Sequence, residues 1–169
     1  MVDTTEPLYL AYDGVMARTG RDISLLFDLF AVYQRVGGLV AAALDGAGLG
    51  GDEYAVYSVL FDLGPLTATE MAGHLGMPLT TVLDHLRVMD RRRDIVRVPH
   101  PADGRARQVR LSPAGLAAHR RAHAAWERMA ALVDGSLALP VDRVRSSLHA
   151  LDDAVIAAEK RMAARQRRA

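Results

Sequence analysis

The hydrophobic pattern between Leu66 and Ser112 changes period twice. Thr67-Ala-Thr-Glu70 reads as a capping box, in which a threonine hydroxyl and a glutamate carboxylate satisfy the amide donors left free at a helix start. Met71, Ala72 and Leu75 then fall on one helical face, and Gly76 supplies the backbone freedom for a sharp turn. Pro78 restarts a helix, since its fixed φ and missing N–H are tolerated in a first turn. In that second helix Val82, Leu86 and Met89 share one face with Leu79 at its edge. The period then shortens to two: Val96 and Val98, then Val109 and Leu111, lie in β-prone runs separated by a loop from Pro99 to Gln108.

Longer helical patterns flank this stretch. Residues 1–20 are punctuated by Pro7, Gly14 and Gly20, yet Leu8, Tyr9, Leu10, Tyr12, Val15 and Met16 predict a short packed helix. Asp22 is placed to cap a helix to about Leu44 with two apolar stripes: Leu26, Phe30, Tyr33, Val40 and Leu44, and Leu25, Leu29, Val32, Val36 and Leu39. A helix apolar on two faces must be covered on two sides. Asp52 is expected to cap a helix to Leu63 whose core face carries Tyr57, Leu60 and Phe61 beside Tyr54, and Gly64-Pro65 ends it. Ser112-Pro113 opens a helix to about Asp134. After Pro140, the residues Val144, Leu148, Leu151, Val155, Ala158 and Met162 repeat at 4, 3, 4, 3, 4, which is a heptad seam in need of an apolar partner.

The expected fold is mainly α with a small β-hairpin wing: a winged helix-turn-helix domain over 49–112, with N-terminal helices over 1–48 and C-terminal helices over 113–169 forming a helical dimerisation module. A homodimer follows from the uncovered stripes. The net charge of +1 hides a division: residues 1–77 hold three basic and ten acidic side chains (−7), residues 78–169 eighteen and ten (+8). Eight arginines against four aspartates lie within 78–110, the footprint of a nucleic-acid binder. The sequence contains no cysteine, which excludes disulfides, thiolate metal sites and thiol nucleophiles. No run approaches 18 uncharged apolar residues and the N-terminus is acidic, so a soluble, cytoplasmic protein without membrane attachment is expected.

The candidate chemistry is DNA recognition. Opposite the core face of the second short helix stand Thr80, Thr81, Asp84, Arg87, Val88 and Arg91, groups able to bond base edges and phosphates or touch a thymine methyl in a major groove of double-stranded DNA. A solvated helix face is the alternative use of the same residues. At the tip of the hairpin Asp103 and Arg105 straddle Gly104, and Arg107 adds a second cation. An arginine on a loop beside a reading helix suits the narrow, negative minor groove.

The spacing Asp103-x-Arg105-x-x-x-Val109-x-Leu111-Ser112-Pro-x-Gly115, preceded by the helix-turn-helix pattern, resembles the wing signature of the MarR family of bacterial transcriptional regulators. The resemblance extends from about Asp22 to Met162. It implies that Arg105 enters the minor groove, that Asp103 steadies it, and that the second short helix reads bases. It further implies a repressor relieved by a small, often aromatic ligand, for which Tyr33, Tyr57 and Trp126 are the candidate lining residues. Two departures stand out. Arg92-Arg93-Asp94 occupies the place where the family usually has glycine between reading helix and wing, with Asp94 the residue better suited to a left-handed backbone, and Ser112 replaces threonine.

Other chemistry is less well served. His119 and His123 have the i, i+4 spacing of a helical zinc pair, the basis for an alternative reading as a metal-dependent sensor or enzyme, but further ligands would have to be carboxylates. No Glu lies between them, so a metalloprotease is excluded. No phosphate loop, nucleophile elbow or dinucleotide fingerprint occurs, so neither an enzyme nor a cofactor is expected. A winged-helix interaction module without DNA binding is the remaining alternative, although it has no need of the Asp103 and Arg105 pairing.

Overall fold

The computed structural model describes residues 24–102 and 105–167. In chain order it contains α1 (Leu25–Leu44), α2 (Gly51–Leu63), α3 (Ala68–Leu75), α4 (Leu79–Arg91), β1 (Ile95–Pro99), β2 (Arg107–Leu111), α5 (Pro113–Gly135) and α6 (Val141–Gln166). The mainly helical architecture with one antiparallel hairpin is the one the sequence predicts. The chain divides within α1 into two compact units, Met1–Gly38 and Leu39–Ala169.

The core of the second unit joins α2 to the short helices and the hairpin. Tyr57 and Val56 of α2, Met71 of α3, Val82, Leu86 and Met89 of α4, and Val109 of β2 are all fully buried. The 4, 3 spacing of α4 therefore faces inward as expected. The capping box forms at the start of α3: Glu70 N donates to Thr67 Oγ1 at 3.2 Å and Thr67 N to Glu70 Oε2 at 2.7 Å. The Thr67 N–H, and then the Thr67 hydroxyl donating to the same oxygen at 2.8 Å, hold the Glu70 carboxyl below its ordinary value. Gly76 ends α3 in the left-handed conformation at φ 61°.

Several boundaries differ from expectation. The predicted helix within residues 1–20 and the Asp22 cap lie outside the described residues. The residue before α1 is Ser24, whose hydroxyl accepts Phe27 N at 3.2 Å. The helix expected to be capped by Asp52 begins at Gly51, with Gly50 at the cap and its N–H directed to Glu53 Oε2 at 3.4 Å. Asp52 instead sits in the first turn, where the helix dipole favours negative charge. Pro78 is the cap of α4 rather than its first helical residue. The hairpin ladder pairs Pro99 with Arg107 and Val98 with Gln108, so the loop is shorter than the interval from Pro99 to Gln108. Both strands of a two-stranded sheet are edges, where a proline is tolerated.

Beyond the ladder, Val109 exchanges both backbone bonds with Leu66, in the link between α2 and α3, at 2.7 and 3.0 Å. That bridge ties the middle of β2 to the body.

The long helices leave apolar surface uncovered. Tyr33 of α1 is 68% exposed, and Leu25, Leu26 and Phe30 are similarly open. α1 is long and apolar enough to cross a membrane by length and composition, although Asp28 and Arg35 interrupt it. α6 contains no buried residue, and Leu148 and Met162 of its heptad seam are exposed.

Candidate nucleic-acid interface

α4 has one face in the core and one in solvent. Thr80, Asp84, Arg87 and Arg91 are exposed, and Thr81 and Val88 are partly so, beside the buried Val82, Leu86 and Met89. Arg87 is paired with Asp84 one turn earlier, and Arg97 of β1 lies 3.6 Å from Asp90 at the end of α4. Exposed pairs of this kind contribute at most about 1 kcal/mol, so a phosphate or a guanine edge can compete for either guanidinium. Arg91, Arg93, Arg107 and Arg110 have no ion pair among the described residues.

At the wing, Arg105 and Arg107 are exposed on the loop side of β2. Asp103 and Gly104 lie outside the described residues, so the predicted Asp103 and Arg105 pairing does too.

The base of the wing joins Tyr57, a candidate ligand residue, to residues that the sequence pattern did not single out for function. Arg93, not Asp94, takes the left-handed conformation in place of the usual glycine, at φ 60°. This leaves Asp94 free to turn inward, where it is only 7% exposed. The Tyr57 hydroxyl donates to Asp94 Oδ2 at 2.6 Å, Asp94 N donates to Met89 O at 2.9 Å, and Ser112 N donates to Asp94 O at 2.9 Å. Ser112 Oγ in turn donates to Arg93 O at 2.8 Å and accepts Gly115 N at 3.1 Å, capping α5. Arg92 reaches Glu53 of α2 at 2.8 Å. Burial, and then the adjacent carboxylate, push the Tyr57 hydroxyl far above its ordinary value, so it remains a donor.

On the side of α2 facing α5 lies a stack of rings. Tyr54 packs against Trp126 at 4.9 Å between centroids, Phe61 against His119 at 4.6 Å, and His119 against His123 at 5.2 Å. His119 Nε2 is 3.2 Å from Ser58 Oγ, and His123 Nδ1 is 2.8 Å from the Tyr54 hydroxyl. Among the described residues the buried Nδ1 of His119 has no hydrogen-bond partner. Burial, with His123 adding repulsion, lowers the His119 pKa from 6.5, so the ring is held neutral. The histidine pair is thus engaged with hydroxyls and rings, and among the described residues no group of three or more His, Asp or Glu is placed to hold a metal ion.

The three candidate ligand residues are not alike. Tyr33 is open in the first unit, and Trp126 is half-buried on Tyr54. Tyr57 is closed in the core and committed to Asp94, so a ligand could touch it only by displacing packed side chains.

No family model and no curated protein sequence matches the chain. Solved structures do. A probable transcriptional regulator from Pseudomonas aeruginosa is 29% identical with a TM-score of 0.67, covering 77% of this chain and 98% of its own. The Mycobacterium tuberculosis transcriptional regulator MosR, solved in complex with DNA, is 25% identical with a TM-score of 0.69, covering 80% and 98%. MarR of E. coli, in its apo form, is 19% identical with a TM-score of 0.61, covering 78% and 96%. With six described helices and a two-stranded wing, the chain has the winged-helix fold of these transcriptional regulators, MarR among them.

Proposed function

We propose that the chain is a double-stranded-DNA-binding transcriptional regulator that reads a pseudo-palindrome as a homodimer. The observation carrying this reading is the division of α4: a wholly buried apolar stripe anchors the helix, and the opposite face offers Thr80, Thr81, Asp84, Arg87, Val88 and Arg91 beside the exposed wing arginines. An interaction module needs neither that helix face nor arginines on the adjoining loop. MosR, a relative of similar fold, was solved on DNA. The exposed seam of α6 and the open apolar face of α1 supply the surfaces for a second copy. Two-fold symmetry would then set reading helices about 34 Å apart, one duplex turn.

Repression relieved by a small aromatic effector is the regulatory form we infer, with Trp126 the accessible contact rather than Tyr57. DNA affinity unchanged by a panel of phenolic and aromatic acids would overturn that part.

Selection of binding sites from random duplexes tests the main reading. The expected product is a two-fold site with half-site centres about ten base pairs apart. Arg105→Ala should weaken binding to it by about 10-fold or more, the scale of a lost groove contact. Equal affinity for the variant would overturn the wing assignment. Sedimentation should show a dimer at micromolar concentration and a monomer for Leu148→Glu; a monomeric wild type would overturn the homodimer.

A further inference from the structure

We propose that Tyr57, acting through Asp94, positions the wing, setting the angle at which the hairpin meets DNA. The inference rests on the DNA-binding reading above and adds a residue to it.

The hairpin is two-stranded, with Ile95, Val109 and Leu111 buried in the core, and two backbone attachments bear on its angle. One is the Leu66 and Val109 bridge in β2. The other is the junction of α4 with β1, where Asp94 precedes the first strand residue. A single bridge is a pivot; a second anchor on the other strand converts it to a fixed angle. That second anchor is built from a carboxylate and a phenol, both withdrawn from water. Tyr57 is 0% exposed and belongs to the body of the domain, so its hydroxyl is a fixed point. A hydrogen bond to an ionised acceptor is about twice as strong as a neutral one, and at 2.6 Å the contact is short. Asp94 also engages the end of α4 through Met89 O and the start of α5 through Ser112 N. The backbone of Asp94 thus joins the recognition helix, the wing and the following helix, and its side chain registers that junction to α2 through Tyr57.

The lever explains why the angle matters. Arg105 is four residues from Val109, or about 13 Å at the rise of a strand. A pivot of about 15° would move the tip by about 3 Å, half the roughly 6 Å width of a minor groove. Tyr57→Phe leaves the side-chain shape intact and removes only the hydroxyl that prevents the pivot.

The test is a double-mutant cycle on full-length protein, with affinities measured on the duplex recovered by site selection. Tyr57→Phe should weaken binding about 5- to 10-fold in the wild-type background and less than 2-fold in the Arg105→Ala background, because the groove contact that the angle serves is then already lost. Asp94→Asn, which keeps a neutral acceptor for the phenol, should lose less than Tyr57→Phe. Hydrogen exchange of the DNA-free variants supplies a second measurement: Tyr57→Phe should speed exchange in residues 95–111 and leave 141–166 unchanged. An equal loss in both backgrounds, or unchanged wing exchange, would overturn the positioning role while leaving DNA reading intact. If Arg105→Ala itself has no effect, the minor-groove reading falls and the inference with it. If Tyr57→Phe does not fold, the exchange and affinity of Asp94→Asn decide: both matching wild type would overturn the proposal.

Discussion

Two glycine-to-alanine substitutions should shift stability in opposite directions, and their contrast tests the corner on which the wing is mounted. A Cβ built on Gly115 would stand 2.1 Å from Asp94 O, 3.0 Å from Asp94 C and 3.2 Å from Leu111 Cδ2. The first two are backbone atoms, and that carbonyl already accepts Ser112 N at 2.9 Å, so no flexible side chain can yield. The start of α5 must lift from the corner. That forfeits the Ser112 N and Ser112 Oγ bonds, about 1 kcal/mol each, and adds about 2 kcal/mol of overpacking. Better helix propensity returns about 1 kcal/mol. The net loss is about 3 kcal/mol, a midpoint lowered by about 6–12 °C for a chain of this size. Gly73, exposed in α3, has nothing within 4 Å of its Cβ position. Alanine there should gain about 1 kcal/mol, or about 2–4 °C. Thermal unfolding followed by circular dichroism, at one protein concentration because assembly shifts the midpoint, reads both. A Gly115→Ala protein as stable as wild type would refute the close approach of α5 to Asp94 and the corner built on it.

Two further substitutions probe the same region and the ring stack. Arg93→Gly should stabilise the protein by about 0.5–1 kcal/mol, since a left-handed residue with a side chain costs about 1–2 kcal/mol and glycine returns part of that to the unfolded chain; chemical denaturation should show the gain for glycine and none for Arg93→Ala. For His119 the sign follows from its lowered pKa: the unfolded chain takes up the proton first, so the stability from the neutral ring is complete above pH 6.5 and is lost as pH falls from there toward the folded value. His119→Phe should therefore flatten unfolding midpoints measured from pH 7.5 to 5.5, and an unaltered slope would mean that the ring is not held neutral.

Local signals made most of the fold legible. The capping box at Thr67, the cap and proline at Ser112 and Pro113, and the 4, 3 spacing of α4 each depend on residues within a turn of one another. So does the exposed face of α4, which is the complement of its buried stripe. What was hidden depends on tertiary placement. Arg92-Arg93-Asp94 advertises a strained turn, but which residue takes the strain is decided by which side chain has a partner inside. Asp94 finds the Tyr57 hydroxyl 37 residues away in sequence and turns in, so Arg93 takes the left-handed position. By the same step Tyr57 passes from candidate ligand residue to core anchor. A lone aspartate in an arginine run, directly before an apolar strand, was the one available sign of a buried carboxylate, and nothing local identified its donor. The ring stack is similar: the i, i+4 spacing of the histidines keeps a metal pair only as an alternative, and what does engage them, Ser58, Tyr54 and Phe61 of α2, lies about 60 residues away in sequence.

On the proposed homodimer reading, the salt dependence of DNA binding counts subunits as well as contacts. A chain of net charge +1 is not drawn to DNA by its total charge; attraction must come from arginines that no carboxylate neutralises. Asp84 and Asp90 engage Arg87 and Arg97, Glu53 engages Arg92, and Asp94 is spent on Tyr57. Arg91, Arg93, Arg107 and Arg110 are left without an ion pair among the described residues. If each neutralises one phosphate, four per subunit give a slope of log affinity against log salt of about −3.6 for one subunit and about −7 for two. A titration from 50 to 200 mM salt on the selected duplex separates those values. A slope near −3.6 for a complex that sediments as two subunits on one duplex would mean that only one wing and helix engage, and the apolar seam of α6 would then need an explanation other than placing two reading helices on one site.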